Sequence, residues 1–177
     1  MDKFNQTLFN KVNQAGSPDL GSDDLQHLQI LFEQYKLYVQ TMEKVVDRRQ
    51  VANNFFLTAN VFLVTLSGFS VEKLGNTSET SKVFSLIGIS ISGILLSVIW
   101  LRLNKYYGLM NQAKFNVIHA LEKRLPVALF LGEWVALGEG KDPKKYQSMA
   151  KVESRVALVF IFLYAAIGIF AIFSIVV

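Results

Sequence analysis

The side chains that most often perform catalysis or bind metals are scarce in this sequence. Cysteine is absent, which excludes disulfides, thiolate metal ligands and a cysteine nucleophile. The two histidines, His27 and His119, stand far apart and lack the spacing of a metal-binding motif. We therefore expect no metal site and no cofactor.

One short segment superficially resembles a catalytic motif. Gly88-Ile-Ser-Ile-Ser-Gly93 shares part of the spacing of the hydrolase nucleophile elbow, but Ser92 stands where the second glycine is required. The sequence also contains no phosphate-binding glycine loop. We interpret the chain as a protein that is not an enzyme.

Three long uncharged runs indicate a membrane protein. Val51–Val71, Val83–Leu101 and Val156–Val177 contain no Asp, Glu, Lys or Arg, and about 20 apolar residues suffice for a helix to cross a hydrocarbon core roughly 30 Å thick. Mean hydropathy is +0.32 and 18% of residues are charged, against about a quarter in soluble domains. We predict an all-α integral membrane protein with three transmembrane helices and long cytoplasmic helical extensions.

The uncharged runs divide the chain into five segments. We predict a flexible N-terminal segment at 1–21, a cytoplasmic heptad helix at 22–50, a transmembrane hairpin at 51–101, a cytoplasmic helical segment at 102–155 and a third transmembrane helix at 156–177. Of the 18 Lys and Arg residues, all but Lys73 and Lys82 lie outside the loop 72–82. The positive-inside rule therefore places the N-terminus in the cytoplasm and the C-terminus outside.

A repeating apolar pattern runs along the first cytoplasmic helix. Alternating spacings of three and four join Leu25, Leu28, Phe32, Tyr35, Val39, Met42 and Val46, which is the heptad pattern of a coiled coil. A similar rhythm after the second span joins Leu103, Tyr107, Met110, Val117 and Leu121. We predict that the two sets pack together, either within one chain or between subunits, with Leu28, Phe32, Tyr35 and Val39 facing residues such as Tyr107 and Met110.

Small residues recur on one face of two spans. Ser85, Gly88 and Ser92 share a face of the second span, and Ala165, Gly168, Ala171 and Ser174 recur at every third position of the third. Small residues let helix backbones approach closely in lipid. We therefore predict helix contacts at Gly88, Ser92, Gly168 and Ala171, for packing within the chain or for oligomerisation into a homo-oligomer in the lipid bilayer.

The uncharged spans also argue against a pump or a carrier. Pumps and carriers place ionisable residues at membrane depth, and the three runs contain no Asp, Glu, Lys or Arg. Any pore is expected to be lined by hydroxyl and amide side chains, such as those of Thr58, Asn60, Ser85 and Ser92.

Basic residues near the spans are candidates for binding anions. Segment 102–155 contains ten Lys and Arg residues against five Asp and Glu residues. Arg48, Arg49 and Lys114 are candidate contacts for anionic lipid or for an anionic ligand such as a nucleotide. We expect no direct DNA binding.

The order of helices and spans resembles a known family. The residues that carry the resemblance are Tyr35-Lys36 and Arg48-Arg49 before the first span, Trp100 at the end of the second, and Tyr107–Phe115, Ile118, Leu121-Glu122 and Leu125-Pro126 after it. Over roughly residues 25–125 the chain is similar to SLATT-type proteins. These are small bacterial membrane proteins with a two-span hairpin between cytoplasmic helices, found with nucleotide-signal and phage-defence systems. The third span departs from that form.

The resemblance implies a role as a membrane effector in antiviral defence. Such an effector would lie in the bacterial inner membrane as a multi-pass protein, with its N-terminus cytoplasmic and its C-terminus periplasmic. On a trigger from a cytoplasmic defence partner or a nucleotide signal, it would oligomerise, permeabilise or depolarise the membrane, and stop growth of the infected cell by abortive infection. The alternative is a non-conducting membrane scaffold or sensor that docks a cytoplasmic partner.

Overall fold

The computed structural model describes residues 22–72, 79–142 and 146–176. These residues form four α-helices and a 3-10 helix and contain no strand, which confirms the all-α prediction. The helices are α1 (Ser22–Glu72), α2 (Glu79–Glu122), α3 (Leu129–Ala136) and α4 (Met149–Val176), and the 3-10 helix is Gly138–Gly140. The predicted flexible segment 1–21 lies outside the described residues.

Three of these helices are long and apolar enough to cross a membrane, as predicted. The segments with that property are Ser22–Phe69, Thr80–Glu122 and Met149–Ser174. Helix α1 begins with Asp23 and Asp24 in its first turn, where acidic side chains stabilise the positive end of the helix dipole. No proline or glycine interrupts the 51-residue helix before Gly68, so no local signal ends it earlier.

The chain divides into two compact units, which we name after their central polar residues. The Glu122 unit is the described part of Met1–Asp47 and Gly108–Ser148, and the Asn60 unit is the described part of Arg48–Tyr107 and Met149–Val177.

An apolar cluster forms the core of the Glu122 unit. Its buried members are Leu31, Tyr35, Met42, Ile118 and Leu125, and half-buried side chains packed against them include Leu28, Val39, Phe115, Leu121 and Phe130. Phe130 of α3 lies with its ring centroid 6.0 Å from that of Phe115 and 6.5 Å from that of Tyr35. Helix α3 is therefore held to the other two helices of the unit through its aromatic side chain.

Regular heptad spacing organises the core of the Asn60 unit. The buried positions of α2 alternate in steps of three and four, namely Val83, Leu86, Ser90, Gly93, Ser97, Trp100 and Asn104. On α4 the fully buried Ala157, Tyr164 and Ala171 recur every seven residues. This spacing keeps one side of each helix facing its neighbours, as in left-handed helix bundles.

Candidate functional site

Glu122 is the polar centre of its unit. Its side chain is fully buried at the end of α2 and accepts hydrogen bonds from the backbone N–H groups of Phe130 (2.7 Å) and Leu131 (3.0 Å). Both donors belong to the first turn of α3, whose N-cap residue Ala128 has no side-chain oxygen. The carboxylate therefore caps α3, although Glu122 precedes Phe130 by eight residues in the sequence. It lies at the positive end of the α3 helix dipole.

Tyr35 completes the environment of this carboxylate. Its hydroxyl donates to Glu122 Oε1 over 3.1 Å. Burial, together with the negative charge and the hydrogen bond of Glu122, raises the pKa of the Tyr35 hydroxyl above its ordinary value. The raised pKa means that the phenol remains a donor to the carboxylate to a higher pH than an ordinary tyrosine would.

Asn60 is the polar centre of the other unit and joins three helices. Its side-chain Nδ2 donates to the Phe56 carbonyl of α1 (2.8 Å), and its Oδ1 accepts from Ser97 Oγ of α2 (3.0 Å). Its backbone carbonyl accepts from the Tyr164 hydroxyl of α4 (2.9 Å). Because Asn60, Ser97 and Tyr164 are fully buried, these bonds form without competition from water.

Gly93 leaves room for the Tyr164 ring to pack against α2. A Cβ atom built on Gly93 would lie 2.4 to 2.5 Å from three atoms of the Tyr164 ring. The ring cannot easily move aside, because its hydroxyl is bonded to Asn60 and the side chain is fully buried. A glycine is therefore required at this crossing.

Two further polar contacts, a hydrogen bond and an ion pair, lie in the Asn60 unit. Trp100 Nε1 donates to Asn53 Oδ1 over 2.7 Å. Arg49 of α1 and Glu153 of α4 form an ion pair with 3.7 Å between Nε and Oε2, and both side chains are mostly buried.

The structure brings together some of the predicted heptad residues. Leu28, Tyr35 and Val39 belong to the core cluster of the Glu122 unit, whereas Phe32 is 48% exposed and Leu31 is buried beside Tyr35. Tyr107 and Met110 are half-buried, and Ile118, Leu121 and Leu125 supply the α2 side of the cluster. The buried Tyr35 and Met42 and the half-buried Leu28 and Val39 agree with the predicted pattern. The exception is Phe32, whose place in the core is taken by the adjacent and equally apolar Leu31.

The small residues of the two spans have different surroundings. A Cβ on Gly168 would lie 3.3 Å from Ser90 Cβ, and Ala171 is buried with Val83 and Leu86, so both residues of α4 pack against α2. Gly88 and Ser92 are exposed, and no described atom lies within 4 Å of a Cβ built on Gly88. The surface of α2 at these two positions is therefore accessible in the protomer.

The predicted basic residues do not form one site. Arg48 is exposed, and Arg49 pairs with Glu153. Lys114 Nζ donates to Thr41 Oγ1 over 2.9 Å and lies 4.7 Å from the centroid of the Tyr38 ring. The lysine thus makes contacts within its own unit.

Sequence reasoning missed Glu122 and Tyr164 as organising residues, and it identified Gly93 and Ser97 only as a pair of small residues suited to close helix packing. Part of the signal was present, because Ser90, Ser97 and Asn104 are polar residues spaced by seven in the apolar α2, and Tyr164 is a polar residue in the apolar run of α4. Glu122 carried no comparable signal, since its partners belong to a helix that begins seven residues later.

Comparison with known proteins finds one family. The model of the octameric membrane protein family (8xMP) matches residues 32–173, which include the central residues of both units. Neither the search of curated proteins nor that of solved structures returned a match.

Proposed function

We propose that this chain, which belongs to the octameric membrane protein family, assembles as an octamer in the bacterial inner membrane. Family membership and the three apolar helices make it a membrane protein of an oligomeric family. The exposed Gly88 and Ser92 of α2 support assembly, because small exposed residues let a second helix approach closely in lipid.

The proposed activity is that of an antiviral effector. On a trigger, the octamer permeabilises or depolarises the inner membrane and stops growth of the infected cell. The observation that carries this proposal is membership of an octameric membrane family, together with exposed hydroxyl side chains on the Asn60 unit at Thr58, Ser85 and Ser92. Eight copies arranged around an axis would line an opening with such groups, which would discriminate poorly between ions.

Asn60 does not belong to this set, contrary to the expectation from sequence. It is fully buried within the protomer, and its side chain is bonded to Phe56 and Ser97. Side chains that line a pore must face its opening. Both the Nδ2 and the Oδ1 of Asn60 are instead hydrogen-bonded inside the protomer.

The proposed orientation follows from the distribution of basic residues. The N-terminus and segment 102–155 are cytoplasmic, and the C-terminus is periplasmic. Alkaline phosphatase, which is active only in the periplasm, should be inactive when fused after Glu139 and active when fused after Val177. An active fusion after Glu139 would reverse the orientation.

The activity is tested in cells and in liposomes. Induced expression should collapse the signal of a membrane-potential dye in phage-infected cells, and purified protein should release ions from liposomes when the trigger is present. Liposomes that retain both ions and a small dye with the trigger present would refute permeabilisation. Cross-linking and native mass spectrometry of the same preparation count the subunits independently of conduction.

The second candidate is a non-conducting scaffold or sensor, and one observation favours it. The Glu122 unit has an apolar groove of about 400 Å³, lined by Leu25, Leu28, Gln29, Phe32, Tyr35, Leu125, Pro126, Val127 and Leu129. This lining suits the apolar side chain of a protein partner better than the phosphates of a nucleotide signal. A cytoplasmic defence partner that binds wild type and releases the variant Phe32→Asp, with liposomes remaining sealed, would favour this function.

A further inference from the structure

Unpartnered polar atoms are concentrated at one level of the Asn60 unit. Among the described residues, seven buried side-chain nitrogen and oxygen atoms lack a hydrogen-bond partner. Five of them belong to four residues, namely Arg49 (Nε), Asn53 (Nδ2), Asn104 (Nδ2 and Oδ1) and Glu153 (Oε2). Leaving so many groups unpaired in a buried place is costly, which indicates that the structure holds something there.

Helix register places these residues close together. The bonds from Trp100 to Asn53 and from Ser97 to Asn60 show that α1 and α2 run in opposite directions. One turn back from Asn53 on α1 is Arg49, and one turn forward from Trp100 on α2 is Asn104. Because the helices are antiparallel, both steps move in the same direction along the helix axes, by about 6 Å each. Arg49 and Asn104 therefore lie at the same height along these axes, which we call one level.

Glu153 adds the third helix to this level. Its Oε2 lies 3.7 Å from Arg49 Nε, which is longer than a hydrogen bond, and a water molecule beside the pair could hydrogen-bond to both atoms. Asn104 is 1% exposed, and neither its amide nitrogen nor its carbonyl oxygen has a partner. An amide that is this deeply buried needs partners of both kinds.

The free groups define the chemistry of the ligand. Three are donors (on Arg49, Asn53 and Asn104) and two are acceptors (on Asn104 and Glu153), and the charges of Arg49 and Glu153 cancel. A bare cation would meet the guanidinium, and a bare anion would meet the carboxylate. We propose that Arg49, Asn53, Asn104 and Glu153 hold a small cluster of water molecules, because water donates and accepts and carries no charge.

An aromatic layer closes this water site on one side. The rings of Phe56 and Trp100 stack with centroids 5.9 Å apart, and Phe160 lies 6.4 Å from Trp100. Trp100 is 2% exposed and packs with the fully buried Ala157. The layer lies between the site and the hydrogen bonds of Asn60. The water site concerns one protomer and does not rest on the proposed function.

The direction in which one substitution changes the Tm tests the site. Asn104→Leu in the full-length protein would displace the water and leave Arg49 Nε and Glu153 Oε2 without hydrogen bonds, so its Tm in detergent should fall by about 3 °C or more. If the site is dry, the same change removes two unpaired polar groups and should raise the Tm. A raised or unchanged Tm therefore overturns the proposal. Asn54→Leu, at an exposed position of α1, is the matched control and should leave the Tm unchanged.

A second measurement detects the water in the wild-type protein and needs no stable variant. A short pulse of hydroxyl radicals oxidises reactive side chains that touch water, including bound water. Trp100 should be oxidised although it is 2% exposed, whereas the fully buried Tyr164 should not be. In Asn104→Leu, where that variant folds, the oxidation of Trp100 should be lost. Protection of Trp100 equal to that of Tyr164 in the wild type would overturn the proposal.

Discussion

The two units are organised around different kinds of polar centre. In the Glu122 unit a charged carboxylate has three donors, two of them from the backbone of α3, and lies beside an apolar cluster. In the Asn60 unit neutral amide and hydroxyl groups bond across three helices whose outer faces are apolar. A buried charge is stable when it is paired or hydrogen-bonded, and Glu122 accepts three hydrogen bonds.

The outer surfaces explain why the centres differ. Phe55, Phe62 and Phe69 of α1 are 62%, 61% and 50% exposed in the protomer, an apolar stripe that suits lipid and would aggregate in water. In lipid, apolar side chains gain little by contacting each other instead of the surrounding acyl chains. Specific packing of the Asn60 unit therefore depends on hydrogen bonds and on close helix approach, whereas burial away from water stabilises the predicted cytoplasmic unit.

The largest effect is expected where helix approach is closest. Gly93→Leu should prevent folding of the Asn60 unit, because even a Cβ atom would overlap the Tyr164 ring and overpacked cores lose stability. The measurement is the amount of folded protein in purified membranes. Gly88→Leu is the matched control: it should insert and fold, because Gly88 is exposed and no described atom lies within 4 Å of a Cβ built there, but lose assembly and activity if that face contacts a second copy. Equal loss of folded protein in both variants would contradict the close contact at Gly93.

The next largest effect tests the charged centre. Glu122→Ala leaves two backbone N–H groups of α3 and the Tyr35 hydroxyl without an acceptor, and each orphaned buried donor costs about 1–3 kcal/mol. Proteolysis near α3 should become faster, and the Tm should fall. Glu33→Ala removes only an exposed ion pair with Lys36 and should change stability by less than about 1 kcal/mol. Similar behaviour of the two variants would mean that Glu122 is not a structural centre.

A smaller effect separates two adjacent residues of the heptad pattern. Leu31→Ala removes a buried side chain from the Glu122 core and should cost about 2–3 kcal/mol. Phe32→Ala should cost less within the protomer, since Phe32 is 48% exposed. Thermal unfolding in detergent compares the two variants. A larger cost for Phe32→Ala, together with dissociation of the oligomer, would show that subunits pair through this residue.

The smallest effect tests the neutral centre in its apolar surroundings. Asn60→Leu removes the bonds to Ser97 and Phe56 and should cost about 1–2 kcal/mol, because hydrogen bonds between helices in membranes are worth little on average. Unfolding in mixed detergent gives the value, with the exposed Asn54→Leu as the control. A loss as large as that of Glu122→Ala would remove the distinction between the two centres.

Sequence patterns were informative where the signal is local. The lengths of the uncharged runs predicted three helices able to span a membrane, and α1, α2 and α4 contain them. The small residues Gly168 and Ala171 do lie where α4 packs against α2. The same pattern could not show that Gly93, rather than Gly88, admits the Tyr164 ring, because both glycines occur in apolar surroundings of α2.

By itself, the sequence determined that the chain is helical, that three segments suit a membrane, and that the basic residues are unevenly distributed along it. These properties follow from composition over a single segment, because spanning a membrane depends on length and apolarity alone. Only the tertiary structure decided that Leu31 is buried instead of Phe32, that Glu122 caps α3, and that Asn60 joins Ser97 and Tyr164. Such contacts depend on how each helix is rotated and shifted against its neighbours, and several rotations satisfy the same apolar pattern.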